Sequence, residues 1–282
     1  MIKKLFALFA LCAVLITCVV SDNSSFNVST DYVCLNAVAD KSNNSNALTV
    51  GNYGLSIDFT KETFKVAGLV SLRNDMSPIK FVANNIPFKT SAKGYTFNVP
   101  TLETDNANHE ITDFNGRIFV VKNHISNELY TIQYLFEISY VVDGQYTVST
   151  INTKSQYYGT STATPAGGPA FVKDDAEFIV KFEDSTKVNI TLKNAQFLGA
   201  MPEMTMDLKN IPIVPTANGY TAELDFIVPS INDVPYEQFG FSNFKLTGSG
   251  TQAALECTCN FKGTPFKIQI QGSIFPSEKA GE

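Results

Sequence analysis

Asn85 to Thr96 reads NIPFKTSAKGYT, and Asn210 to Thr221 reads NIPIVPTANGYT. Seven of the twelve positions are identical, without a gap, at an offset of 125 residues. The flanks agree. Met76 falls on Met201 at the same offset, and VPTL from Val99 meets VPSI from Val228 once four residues are inserted in the second copy. Further on, Ile111-Thr112-Asp113-Phe114 corresponds to Phe241-Ser242-Asn243-Phe244. A period this long belongs to a duplicated domain, since the repeats of a solenoid are only a few tens of residues. Two divergent copies of one domain are therefore expected.

Around this motif the chain alternates. Lys187 to Lys193 (KVNITLK), Tyr220 to Phe226 (YTAELDF) and Phe266 to Gln271 (FKIQIQ) place apolar residues at every second position, as does Tyr95 to Val99 (YTFNV) in the first copy. Such a period of two is that of strands with one buried and one wet face. A longer run holds Tyr130, Ile132, Tyr134, Phe136, Ile138 and Tyr140 on one side before Asp143-Gly144 turns the chain back. No helical pattern of similar length follows the first residues. From Tyr157 onward about eight strands are separated by turns at Gly167-Gly168, Glu183-Asp184, Asn218-Gly219, Gly248-Ser249-Gly250 and Lys262-Gly263. An all-β fold of two small antiparallel barrels is expected, each able to fill its bore or to hold one small ligand, with a Greek-key sandwich as the competitor. The runs are about seven residues long, short of the nine to eleven of a tilted transmembrane strand, and the chain ends in the polar SEKAGE.

The N-terminus carries export features in order: Lys3 and Lys4, an apolar run from Leu5 to Ile16, and a processing site. Leu15-Ile16-Thr17-Cys18 resembles the bacterial lipobox, with Thr17 where Gly, Ala or Ser is usual. Cleavage there makes Cys18 a lipidated first residue. Val19 and Ser21 offer a second site, which releases a soluble chain beginning at Asp22. The layout expected is a lipoprotein signal peptide over 1–18, a flexible tether over 19–30, barrels over 31–152 and 157–274 with a brief linker at Thr153 to Gln156, and a polar tail over 275–282. The net charge of −6 becomes more negative when Lys3 and Lys4 leave, which argues against a nucleic-acid partner. Loss of Cys12 with the signal leaves Cys34, Cys257 and Cys259, no disulfide framework. Cys257 and Cys259 point to one face of a strand and read as small buried hydrophobes rather than metal ligands or a redox pair.

Four segments of the second copy, YYGTSTATP from Tyr157, MPEMTMDLKNIP from Met201, VPYEQFGFSNFKLTG from Val234 and CNFKGTPFKIQIQG from Cys259, resemble the calycin-like β-barrel lipoproteins of Bacteroides-type bacteria. The resemblance is weaker in the first copy, which has the Asn-rich stretch Asp40 to Asn46 in place of the YxGT opening. It implies lipocalin-like eight-stranded barrels exported to the outer membrane, periplasm or cell surface. It implies no reaction. The chain has no Trp, so the GxW signature of true lipocalins is absent and transport of a hydrophobic ligand is not inherited by analogy.

The chemistry-bearing residues are few. The two histidines, His109 and His124, belong to no HExxH motif, and CxxC, GxSxG and Walker patterns are missing from the mature chain. Gly248 to Ala253 mimics a dinucleotide fingerprint but reads as a turn between strands. Glu103, Asp105, Asn106, Asn108 and Glu110 form a loop rich in calcium-type oxygens at no calcium-loop spacing, and read as a solvated loop. Met201, Met204 and Met206, with Met76 aligned to the first, read as core rather than thioether copper ligands. Asp184-Ser185-Thr186 resembles a short O-glycosylation acceptor, with an ordinary exposed turn as the alternative. No catalytic, cofactor or metal residue is assigned, and Cys18 alone is named, for lipidation. The expected function is a non-enzymatic envelope module binding a small apolar molecule, a glycan or a protein. The alternatives are a structural or assembly component and a hydrolase using carboxylates from distant strands.

Overall fold

The computed structural model describes residues 27–91, 94–104, 108–124, 130–261 and 263–275. Cys18, the signal segment and most of the tail lie outside them. The described residues form twenty strands and no helix. The chain divides into two compact units, with the main division between Asn152 and Thr153. The first unit holds β1 (Asn27–Asp40), β2 (Ser45–Asp58), β3 (Thr63–Val70), β4 (Ile79–Pro87), β5 (Lys89–Ser91), β6 (Gly94–Thr101), β7 (Ile111–His124), β8 (Tyr130–Val142) and β9 (Tyr146–Asn152). The second holds β10 (Lys154–Pro165), β11 (Phe171–Phe182), β12 (Lys187–Ala195), β13 (Met204–Pro212), β14 (Val214–Thr216), β15 (Gly219–Ile227), β16 (Ser230–Ile231), β17 (Val234–Pro235), β18 (Phe239–Ser249), β19 (Gln252–Phe261) and β20 (Thr264–Ser273).

Both units are antiparallel meanders, so the Greek-key alternative is set aside. The first sheet runs β4-β3-β2-β1-β9-β8-β7-β6-β5, and the second β14-β15-β18-β19-β20-β10-β11-β12-β13-β16-β17. Read from β13 to β14 the second repeats the succession of the first, with β16 and β17 added beyond β13. The sheets curl, one into a nearly closed barrel and the other into a half-barrel. First and last long strands neighbour each other, β1 with β9 and β10 with β20.

The repeated residues sit where the strands bulge. Between the pairs Phe64↔Ile86 and Val66↔Ala83, two residues of β4 oppose one of β3, and Asn85 takes φ 56°. Between Val188↔Ile211 and Ile190↔Leu208 the same excess recurs, with Asn210 at φ 57°. A second bulge places Asp113 at φ 51° in β7 and Asn243 at φ 49° in β18, and the next residues, Phe114 and Phe244, are buried. Asn and Asp tolerate the left-handed region better than other residues with a Cβ, and a bulge bends its strand and raises its twist. The shared motifs thus mark where each sheet curls.

Strand lengths differ from the sequence reading. β1, β2 and β7 have 14 residues each and β8 has 13. β1 begins inside the expected tether and β10 begins at Lys154, three residues before the expected domain start. Alternation breaks at buried polar residues such as Asn36 and Thr49, while the backbone ladder continues through them. Length therefore no longer separates these strands from transmembrane ones; face polarity does. On β12 Val188, Ile190 and Leu192 are buried while Lys187, Asn189, Thr191 and Lys193 face out, the reverse of a barrel whose apolar band meets lipid.

Candidate functional site

Each interior is packed with aromatic rings. In the first unit Phe64 meets Phe97 at a centroid distance of 4.8 Å, Phe97 stacks on Phe114 at 5.3 Å, and Phe114 and Phe81 each approach Tyr140 at 5.8 Å. In the second, Tyr157 stacks on Phe178 at 5.1 Å and Phe182 meets Tyr220 edge-on at 4.9 Å. All of these side chains are buried. The first interior also holds a polar cluster that alternation did not reveal. Tyr53 donates to Asn36 Oδ1 at 3.1 Å and lies 2.9 Å from the Tyr140 hydroxyl, while Cys34 Sγ lies 3.6 Å from the same Asn36 oxygen. The Tyr32 hydroxyl donates to Asn152 Oδ1 and lies 3.2 Å from the Phe136 carbonyl oxygen. Burial pushes the Tyr53 and Tyr140 phenols and the Cys34 thiol up, so all three are neutral at ordinary pH.

Cys257 and Cys259 are buried and unbridged; burial drives the first thiol up and the second to about 12, so neither supplies a thiolate. Met201 and Met206 are buried, Met204 is half-buried, and Met76 accepts from the Tyr146 hydroxyl at 3.8 Å. Met201 and Met206 thus pack in the core, whereas Met76 is 37% exposed. Of the polar loop, Asp105 and Asn106 lie outside the described residues. His109 Nδ1 is 2.8 Å from Asp143 Oδ2, and the Glu110 amide donates to Asp143 Oδ1 at 2.9 Å, so the loop is fastened to the β8–β9 turn. Among the described residues no group of three or more His, Cys, Asp or Glu side chains could hold a metal ion. Gly248 to Ala253 forms the β18–β19 turn. Thr186 donates from its amide and hydroxyl to Asp184 Oδ1 at 2.7 and 2.6 Å, which lowers that carboxyl and rigidifies the exposed turn. The Asn-rich stretch also has a structural task. Asp40 accepts from the Ser42 hydroxyl at 2.7 Å and its amide at 2.9 Å, from Asn43 at 2.9 Å and from Gln145 at 3.1 Å; the Ser42 hydroxyl leads in holding its carboxyl down at about 2.

Glu137 has a raised carboxyl, through burial, against the opposing pull of its cross-strand neighbour Arg117. Two recesses open on outer faces. One, of about 510 Å³, crosses β1 to β4 and includes Asp31, Gly54, Ala67, Leu69 and Lys80. The other, of about 490 Å³, crosses β10, β20, β19 and β18 and includes Thr164, Asn243, Glu256, Thr258 and Lys267. Sequence reasoning missed both, because each is assembled by cross-strand register.

No protein-family model and no curated protein matches the chain. Among solved structures it is similar to a Bacteroides fragilis protein described as a "putative outer membrane protein", with 12% sequence identity, coverage of 87% of this chain and 97% of that one, and a TM-score of 0.35. It is also similar to a protein of unknown function from the DUF3598 family of Nostoc punctiforme, with 10% identity, coverage of 86% and 94%, and a TM-score of 0.24. At these scores neither likeness bears on function.

Proposed function

We propose that the chain is a non-enzymatic binding module of the cell envelope: two copies of a calycin-like barrel, exported, anchored by a lipid on Cys18, and meeting a glycan or protein ligand on their outer faces. The observation that carries the outer-face reading is the aromatic packing of both interiors, beside recesses of about 500 Å³ on the outside. A small apolar ligand in the bore is correspondingly disfavoured. Two copies are supported by the repeated strand succession and by left-handed Asn or Asp residues at matching bulges. The anchor rests on Lys3, Lys4, the run from Leu5 to Ile16, and Cys18.

Native mass spectrometry of protein purified from its own host tests this reading. An acyl mass that disappears in Cys18→Ala, with release from the membrane fraction, supports the anchor. A retained glycan or partner protein, lost on substitution of Thr258 and Lys267, supports the outer face. A retained apolar small molecule indifferent to those substitutions overturns it. An assembly component of the envelope is the second reading, favoured by Val214, Phe226 and Val234, which are 63%, 60% and 65% exposed.

A further inference from the structure

The two units allow one outer face to be compared with its counterpart. On β2, β3 and β4 the outward residues form two cross-strand rows, Gly54, Ala67 and Val82, and beside them Asn52, Leu69 and Lys80. The corresponding registers of the second sheet hold Ile179, Thr191 and Asp207, and Glu177 with Lys193. There the face is closed by its own pairing: Thr191 donates to Asp207 at 2.6 Å and Lys193 meets Glu177 at 2.9 Å. The first unit leaves the same face open. Leu69 is 37% exposed. Gly54, where the second unit has Ile179, leaves a hollow bounded by Asp31 and Ala67; a Cβ placed there would lie 3.5 Å from Asp31 Oδ1 and 3.7 Å from Ala67 Cβ. Asp31 on β1 and Lys80 on β4 stand exposed across the hollow from each other, and neither has a salt-bridge partner among the described residues.

We propose that this face packs against the same face of a second copy of the chain, forming a two-fold dimer. A two-fold interface must be complementary to itself. This patch carries a knob, Leu69, next to a hollow at Gly54 and Ala67, and a free carboxylate opposite a free ammonium. Rotation by a half-turn sets each Leu69 over the hollow of the other copy and brings each Asp31 to the opposite Lys80. Four strands span only about 14 Å, a small patch beside the roughly 800 Å² per partner of a standard interface. The dimer is therefore weak, with a dissociation constant on the order of 10–100 μM. This inference depends neither on the lipid anchor nor on the ligand proposed above.

Analytical ultracentrifugation of the purified protein across this range is the test. The expected result is a reversible monomer–dimer equilibrium that Leu69→Lys, which installs the residue found at the second unit's register, weakens at least tenfold. Asp31→Lys and Lys80→Asp should each weaken it, and the two together should restore it. All three positions face outward, and unchanged thermal melting of the double variant confirms that folding is not what is read. A monomer at every concentration, a dimer indifferent to Leu69→Lys, or a double charge swap no better than either single one overturns the proposal.

Discussion

Removing one ring from the first interior tests whether it is filled, the point on which the outer-face reading depends. Phe114 is fully buried, stacked on Phe97 at 5.3 Å and close to Tyr140 at 5.8 Å. Phe114→Ala therefore costs about 3–5 kcal/mol, the transfer of the ring plus the cavity left behind. The first unit runs from Asn27 to Asn152, about 125 residues. At about 2.1 cal/mol/K of unfolding entropy per residue, a 4 kcal/mol loss lowers its Tm by about 15 °C. Hydrogen exchange read peptide by peptide assigns the loss to β6, β7 and β8. A second readout follows from the same geometry: an apolar cavity the size of a lost ring takes up benzene. Benzene should raise the melting temperature of Phe114→Ala and leave that of the parent unchanged. A loss below about 1 kcal/mol, or a parent protein that benzene already stabilises, would mean that the bore is open and the reasoning fails.

Four further outcomes are expected. Tyr53→Phe, which copies Phe178 at the corresponding register, strips a partner from both Asn36 Oδ1 and Tyr140; urea titration should show a cost of about 2 kcal/mol, against about 1 for Tyr140→Phe, which leaves the Tyr53–Asn36 bond intact. At the left-handed bulge residue Asn210, Gly should be tolerated, whereas Val should cost about 1–2 kcal/mol by thermal melting. The Asp40 carboxyl titrates near 2 in the folded chain instead of 3.8, so its contribution is complete above pH 3.8 and fades as pH falls toward 2; acid titration of Asp40→Asn should lack that component. Cys259, raised to about 12 by burial, should resist iodoacetamide at pH 8 in native buffer and react once denaturant is added.

Alternation and turn residues made the antiparallel strands legible, but the bulges that curl each sheet were not identified from sequence, although the residues that form them lie in the matched motifs. The repeated Asn85/Asn210 and the pair Asp113/Asn243 occupy bulges, where backbone conformation limits the residue choice, and the following Ile or Phe points inward. Alternation likewise placed Cys257 and Cys259 on one buried face. Strand length was not legible, since Asn36 and Thr49 are buried polar residues that interrupt the apolar period without interrupting the ladder. The recesses were hidden for another reason. Gly54 and Ala67 are 13 positions apart and become neighbours only through the register of β2 with β3, which the sequence pattern does not specify.

Selection acts unequally on the two sides of such a wall. Changing a bulge residue or an inward ring disturbs curvature or packing at a cost of one to several kcal/mol, whereas an outward substitution usually changes stability by less than about 0.5 kcal/mol. The matched positions Asn85/Asn210 and Asp113/Asn243 accordingly bend the strands, while Leu69 and Lys193, or Val82 and Asp207, at corresponding outward registers, differ in chemical kind. An outward position where one unit has an apolar group and the other an ion pair is not explained by folding, because the same wall stands with either. The exposed Leu69 beside its hollow is such a position, and the free Asp31 and Lys80 that flank it give it a direction. On the reading proposed above, the differences between the outer faces of the two units, rather than the features they have in common, are where a binding surface is to be sought.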